Sequence, residues 1–313
     1  MTVAFTFPGQ GSQTVGMGKA LADTFFEARA VFEAVDDALG DSLSATIWEG
    51  PADKLMLTEN AQPALMAVSL AVVRVLEARG VRIRDKVAYV AGHSLGEYSA
   101  LAAAGSLTVA DTARLLRIRG RAMQAAVPVG TGAMAALLGM EVDAARAVAI
   151  EAAAGEVCQV ANDNGGGQVV ISGDKAAVER AIEIAKAKGA KRAILLPVSA
   201  PFHCSLMAPA ATAMEAALAD VEIRPPAVPL VANVVAGPIS DPAEIKRRLV
   251  EQVTGLVRWR ETVAWLHGAG VNLFVEVGAG KVLTGLSRRI AEGAETLTIG
   301  SPGDIEAAVA KLG

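Results

Sequence analysis

Lys86-Val-Ala-Tyr-Val-Ala91 runs directly into Gly92-His93-Ser94-Leu95-Gly96 and then into Glu97-Tyr-Ser-Ala-Leu-Ala-Ala-Ala104. The first piece is a short apolar run that reads as a buried strand, and the last reads as an apolar helix. Glycines at 92 and 96 let the main chain reverse sharply between them. That turn leaves Ser94 exposed at the carboxyl end of a strand, with the N–H groups of the next helix aimed at developing negative charge. A plain glycine-rich strand–helix turn would carry the same letters. The flanking strand and helix are what favour a reactive elbow.

Working outward, Val3–Phe7 is another short apolar run, ending in Pro8-Gly9-Gln10-Gly11-Ser12-Gln13, and predicts a buried strand leading into a glycine-rich loop. Helical patterns fill the chain to about residue 80, including the amphipathic run 63–79. A further helix is predicted over 111–126, with Asp111 as an N-terminal charge. Strands are expected at 228–231, 274–277 and 296–299, separated by helices, and this alternation implies a parallel sheet. The middle of the chain has a different rhythm. Strand 132–140, helix 142–154, strands 156–161 and 168–172, helix 175–188 and strand 192–198 give the order β-α-β-β-α-β. That is the ferredoxin-like unit. The fold class expected is therefore α/β, with residues 130–197 as a small subdomain inserted into a larger domain made of 1–129 and 198–313.

Composition removes several classes of function. A net charge of −4 offers no general basic field to nucleic acid. The longest apolar run, 61–73, is short of the ~20 residues that a membrane span requires, so no membrane association is expected. The segment Met1–Gly9 has no basic region and no cleavage signal, which predicts no secretory peptide. Cys158 and Cys204 lack CxxC or metal-ligand spacing and read as reduced thiols of a cytoplasmic protein. With only three scattered histidines, no metal site is expected. No coiled-coil pattern is present, and a monomer is the default.

A reactive serine needs a base. His93 is adjacent to Ser94, but neighbours on a tight turn point in different directions. His267, in Val263-Ala-Trp-Leu-His-Gly268, falls at a helix C-terminus, where a histidine serves the helix end. His203, in Ser199-Ala-Pro-Phe-His-Cys-Ser-Leu-Met207, lies in a loop after a predicted strand, where α/β proteins place reactive groups. Elimination favours His203.

One arginine is out of place. At 100° per residue, Arg114, Arg117 and Arg121 share a polar arc of the 111–126 helix, whereas Arg119 falls among Leu115, Leu116, Ala122 and Met123. A buried guanidinium needs an anionic partner. That partner is either a carboxylate of the protein or a carboxylate of a substrate, which the planar fork can grip bidentately. Two apparent phosphate loops fail on spacing: GxxxxGK would need glycine where Gln13 stands for Lys19, and where Val275 stands for Lys281.

Taken together, Phe7-Pro-Gly-Gln-Gly-Ser-Gln13, Gln62-Pro-Ala-Leu65, Gly92-His-Ser-Leu-Gly-Glu-Tyr98, Arg119-Gly-Arg-Ala-Met123, Asn162 ahead of Gln168-Val-Val-Ile-Ser-Gly173, Pro201-Phe-His-Cys204 and Glu276-Val-Gly278 resemble the malonyl-CoA:acyl-carrier-protein transacylases of fatty acid synthesis and the similar domains of polyketide synthases. The resemblance spans nearly the whole chain. It implies an α/β-hydrolase-like large domain interrupted by a ferredoxin-like small one. It also implies Ser94 as nucleophile, His203 as general base oriented by the main-chain carbonyl of Gln252, and an oxyanion hole from the N–H groups of Gln10 and Leu95. Arg119 would be the carboxylate clamp, with Gln10, Met123, Asn162 and Phe202 around the substrate. Phe202 before His203 resembles the malonyl-type pattern. The implied substrates are malonyl-CoA and an acyl carrier protein bearing phosphopantetheine, with no resident cofactor. Of the basic clusters 186/188/191/192, 246/247/248 and 288/289, the resemblance favours Arg288 and Arg289 for docking an acidic carrier. Two other readings are a serine hydrolase with the same elbow and a non-catalytic carrier-binding subunit.

Overall fold

The computed structural model describes residues 1–313. Ten strands form two sheets. They are β1 (Val3–Phe7), β2 (Tyr89–Gly92), β3 (Gly132–Leu138), β4 (Cys158–Gly165), β5 (Gln168–Asp174), β6 (Arg192–Leu195), β7 (Leu230–Ala232), β8 (Gly237–Ile239), β9 (Leu273–Val277) and β10 (Glu295–Ile299).

The larger sheet has the order β10-β9-β1-β2-β7-β8 and is parallel from β10 through β7, as the alternation of strands and helices implied. β8 is an addition. It folds back antiparallel on β7 as a short edge strand that carried no separate sequence signal. Every residue of β1 and β9 is buried, because helices cover both faces of this sheet. The longest helix is Thr58–Ala78. At 21 residues it is longer than the apolar run read from sequence, and by length and composition it could cross a membrane. Instead, 83% of its apolar window is buried inside the protein, packed among helices Phe26–Leu39 and Val109–Ala125.

The second sheet is antiparallel, in the order β4-β5-β3-β6, with helices Val142–Ala153 and Lys175–Ala187 on one face. This is the ferredoxin-like order, and it encloses its own core around Val148, Ile171 and Val178. The strand expected at 156–161 runs on through Asn162–Gly165, with register shifts against β5. Its backbone also finds a remote partner: Val257 N–H donates to Ala161 O at 2.9 Å, and Asp163 N–H donates to Val257 O at 3.0 Å. An Arg260–Asp163 ion pair at 2.8 Å sits beside this splice and ties the small sheet to helix Trp259–Gly268.

Candidate active site

The elbow is built as its sequence required. β2 ends at Gly92, and Leu95 leads into helix Gly96–Ala103. Ser94 sits between them at φ 52°, a left-handed conformation that its neighbours must hold in place. Both glycines are there because backbone passes where a side chain would stand. A Cβ on Gly92 would lie 1.9 Å from the Gly96 carbonyl carbon, and one on Gly96 would lie 2.2 Å from Phe7 O. The first strand and the elbow therefore touch main chain to main chain, which brings Gln10 beside Ser94.

Ser94 Oγ lies 2.7 Å from His203 Nε2, and His203 Nδ1 lies 2.9 Å from the main-chain oxygen of Gln252. The carbonyl fixes the tautomer: Nδ1 carries the proton and donates it to Gln252 O, leaving Nε2 free to accept from the serine. His203 itself adopts φ 58°. Burial, followed by the nearby Arg119 charge, lowers its pKa to about 3, so the ring is neutral at physiological pH. His93 turns away, as its position on the turn suggested, and pairs with Asn164 Oδ1 at 2.9 Å. His267 ends helix Trp259–Gly268 and faces Val271 O at 3.3 Å.

Arg119 is 1% exposed, and the structure gives it no direct carboxylate partner within the protein. Its Nη1 donates to Gln62 Oε1 at 2.9 Å, and its Nη2 donates to Gln252 Oε1 at 2.9 Å and to Ser94 Oγ at 3.1 Å. The guanidinium carbon lies 5.8 Å from the centre of the Tyr98 ring, and Nε has no partner. A buried cation held by neutral amides, with one face toward the Ser94 hydroxyl, is a ready receptor for a ligand carboxylate. Arg117 departs from the helical-wheel reading. It is buried rather than on a polar arc, because Asn60 Oδ1 at 2.7 Å, from helix Thr58–Ala78, and Asp41 Oδ2 at 3.3 Å, from the turn after helix Phe26–Leu39, meet it.

A cleft of about 780 Å³ opens at this point, between the carboxyl ends of β1 and β2 and one face of the small sheet. Gln10, Ser94, Leu95, Arg119, Met123, Asn162, Phe202 and His203 all line it. Gln252 stands behind them, fully buried. Arg288 and Arg289 are not in the cleft. They occupy the last turn of helix Val282–Ile290, whose first turn lines the rim through Val282 and Leu283.

Three contributors were not singled out as site residues from the sequence. Gln62 holds Arg119. Asn233, just beyond β7, accepts from Ser94 N–H at 2.8 Å and donates to Gly92 O at 2.7 Å. Glu97 bonds Asn233 N–H at 2.7 Å and also meets the Gln252 side-chain amide. Asn233 offered a usable signal, a polar residue at the carboxyl end of a parallel strand.

This fold and site define an acyltransferase, and the chain belongs to the acyl transferase domain family, whose pattern it matches over residues 4–299. It is 45% identical over 311 residues to the malonyl CoA-acyl carrier protein transacylase of Bacillus subtilis (strain 168), covering 99% of this chain and 97% of that one. Among solved structures, the acyl-carrier-protein-S-malonyltransferase from Bartonella henselae is 60% identical with a TM-score of 0.98, covering 100% of this chain and 99% of that one. A malonyl-transacylase in complex with a type II PKS acyl-carrier protein is 40% identical with a TM-score of 0.96, covering 99% of this chain and 100% of that one.

Proposed function

We propose that this chain transfers malonyl from coenzyme A to the phosphopantetheine thiol of an acyl carrier protein through an ester on Ser94, supplying extender units for fatty acid synthesis. The observation that carries the reading is the convergence of His203 Nε2 and Arg119 Nη2 on one serine oxygen. One group can take its proton, and the other can hold a carboxylate beside it. In the first half-reaction His203 accepts the Ser94 proton as the oxygen bonds the thioester carbon. The N–H groups of Gln10 and Leu95 receive the tetrahedral oxyanion. The C–S bond then breaks, the imidazolium protonates the departing thiolate, and malonyl-Ser94 remains. In the second half-reaction the carrier thiol gives its proton to His203 and attacks the ester, and the Ser94 alkoxide takes that proton back.

Met123, Asn162 and Phe202 are assigned to the walls around the acyl group, a role supported by their place in the cleft. All the chemistry lies in side chains and main chain, so the reading calls for no resident cofactor or metal. A cleft formed within one chain supports action as a monomer. Two unbridged buried cysteines support a cytoplasmic setting. Residues 130–197 are read as the inserted subdomain and 1–129 with 198–313 as the large domain, which is supported by the separate core of the small sheet. Docking of an acidic carrier is assigned to Arg288 and Arg289, at the far end of the helix that begins at the cleft rim.

The deciding experiment is intact mass after brief exposure to malonyl-CoA, then after addition of phosphopantetheinylated carrier. A malonyl adduct that maps to Ser94 and moves to the carrier is the expected result. An adduct released to water with the carrier left bare would instead mean a hydrolase.

A further inference from the structure

Glu97 is 1% exposed, does not line the cleft and takes no part in the chemistry above. Burial raises its pKa, while bonds from Asn233 and Gln252 and the Arg119 charge favour the anion, and with N–H donors facing both oxygens the geometry accommodates the carboxylate. A carboxyl in so unfavourable a place needs a reason that a smaller or apolar residue could not supply.

Its contacts supply one. One oxygen accepts the main-chain N–H of Asn233, whose side-chain oxygen in turn accepts the N–H of Ser94. The other oxygen meets the side-chain nitrogen of Gln252. That nitrogen also donates to Ser94 O at 2.9 Å. With acceptors on its nitrogen side, the Gln252 amide can present only its oxygen to Arg119, which it does at 2.9 Å. Turned over, the amide would set N–H against N–H. The main-chain oxygen of the same Gln252 aligns His203.

We propose that Glu97 is a positioning residue for the whole site: it fixes the polarity of the Gln252 amide, and so the seat of Arg119, while holding the Asn233 segment that fixes the Ser94 turn. Acyl selectivity therefore depends on a carboxyl that no substrate touches. The inference rests on the malonyl-transfer reading.

The test compares loading rates of Glu97→Gln and Glu97→Asp with malonyl-CoA and with acetyl-CoA by intact mass, with thermal unfolding as the check on fold. In Glu97→Gln the new amide nitrogen meets a donor whichever way it turns, at Asn233 or at Gln252. Malonyl loading should fall by about tenfold or more and acetyl loading by less, narrowing the malonyl-to-acetyl ratio by at least about threefold. Glu97→Asp keeps both acceptors on a shorter stem and should fall between parent and Glu97→Gln. A folded Glu97→Gln whose ratio is unchanged, whether both rates hold or both drop equally, overturns the proposal. If Glu97→Gln does not fold, the ratio in Glu97→Asp decides in the same way. A parent chain that loads neither donor removes the malonyl reading and this inference together. A parent that loads malonyl while the variants keep its ratio removes only the role of Glu97.

Discussion

Arg119 Nη2 donates to Ser94 Oγ across 3.1 Å, so the one fully buried cation of the cleft rests on the hydroxyl at the elbow. The other hydrogen bonds of the guanidinium go to the oxygens of Gln62 and Gln252, which carry no charge. No carboxylate of the protein touches the guanidinium, and a dicarboxylic acyl group brings one with it.

Replacing Arg119 with alanine should therefore separate acyl donors rather than disable the serine. Loss of a buried charge-assisted pair costs ~2–5 kcal/mol, so malonyl loading should fall by about 30-fold or more. Acetyl loading should persist or improve, because the variant also removes a charge that lowers the His203 pKa. Loading rates for both donors check this, and an equal loss for both would make Arg119 structural.

The acid limb of the loading profile should lie far below that of an ordinary histidine. Burial holds the His203 imidazole down to about 3 in the folded chain, against an ordinary value of 6.5. Between these values the unfolded chain binds a proton that the folded chain does not. The imidazole stays a competent base through that window, while its contribution to stability declines as the pH falls. Measured from pH 8 down to 5, kcat/KM for malonyl loading should show no inflection near 6.5; an ordinary histidine inflection there would contradict the buried, neutral base.

The elbow glycines should be irreplaceable for a packing reason. Gly92→Ala would press its methyl into the Gly96 backbone at 1.9 Å, where neither side can yield. The cost should exceed the ~1–3 kcal/mol of ordinary overpacking. Gly285 lies within helix Val282–Ile290, and a Cβ there would meet nothing within 4 Å. Gly285→Ala should stabilise by ~0.5–1 kcal/mol. Urea unfolding of the two variants measures both signs.

Charge reversal at Arg288 and Arg289 should raise the apparent KM for the carrier at low salt and leave malonyl-CoA loading of Ser94 unchanged. The difference should shrink as salt screens the exposed charges. An apparent KM that does not move at low salt would place the docking surface elsewhere.

Local signals made much of this site readable in advance. The strand–glycine–serine–glycine–helix order identified Ser94, and elimination among three histidines identified His203. Helical period placed Arg119 inside the fold. The same period misplaced Arg117, because an arc on one helix says nothing of Asn60 and Asp41 arriving from elsewhere. Nor does local pattern extend the strand expected at 156–161 to Gly165, where irregular pairing with β5 is joined by a bridge to residue 257.

Within this chain, the sequence by itself determined most of the elements, the elbow and the residue types able to do the chemistry, since these depend on neighbours a few positions apart. Only the tertiary structure decided which polar groups meet. Ser94 and Asn233 are 139 positions apart, and Ser94 and Gln252 are 158 apart. Periodicity carries no information over such separations. In a dry interior each buried donor and acceptor must find a partner, and the fold that satisfies Glu97, Asn233, Gln252 and Arg119 together is the one that sets Ser94 against His203.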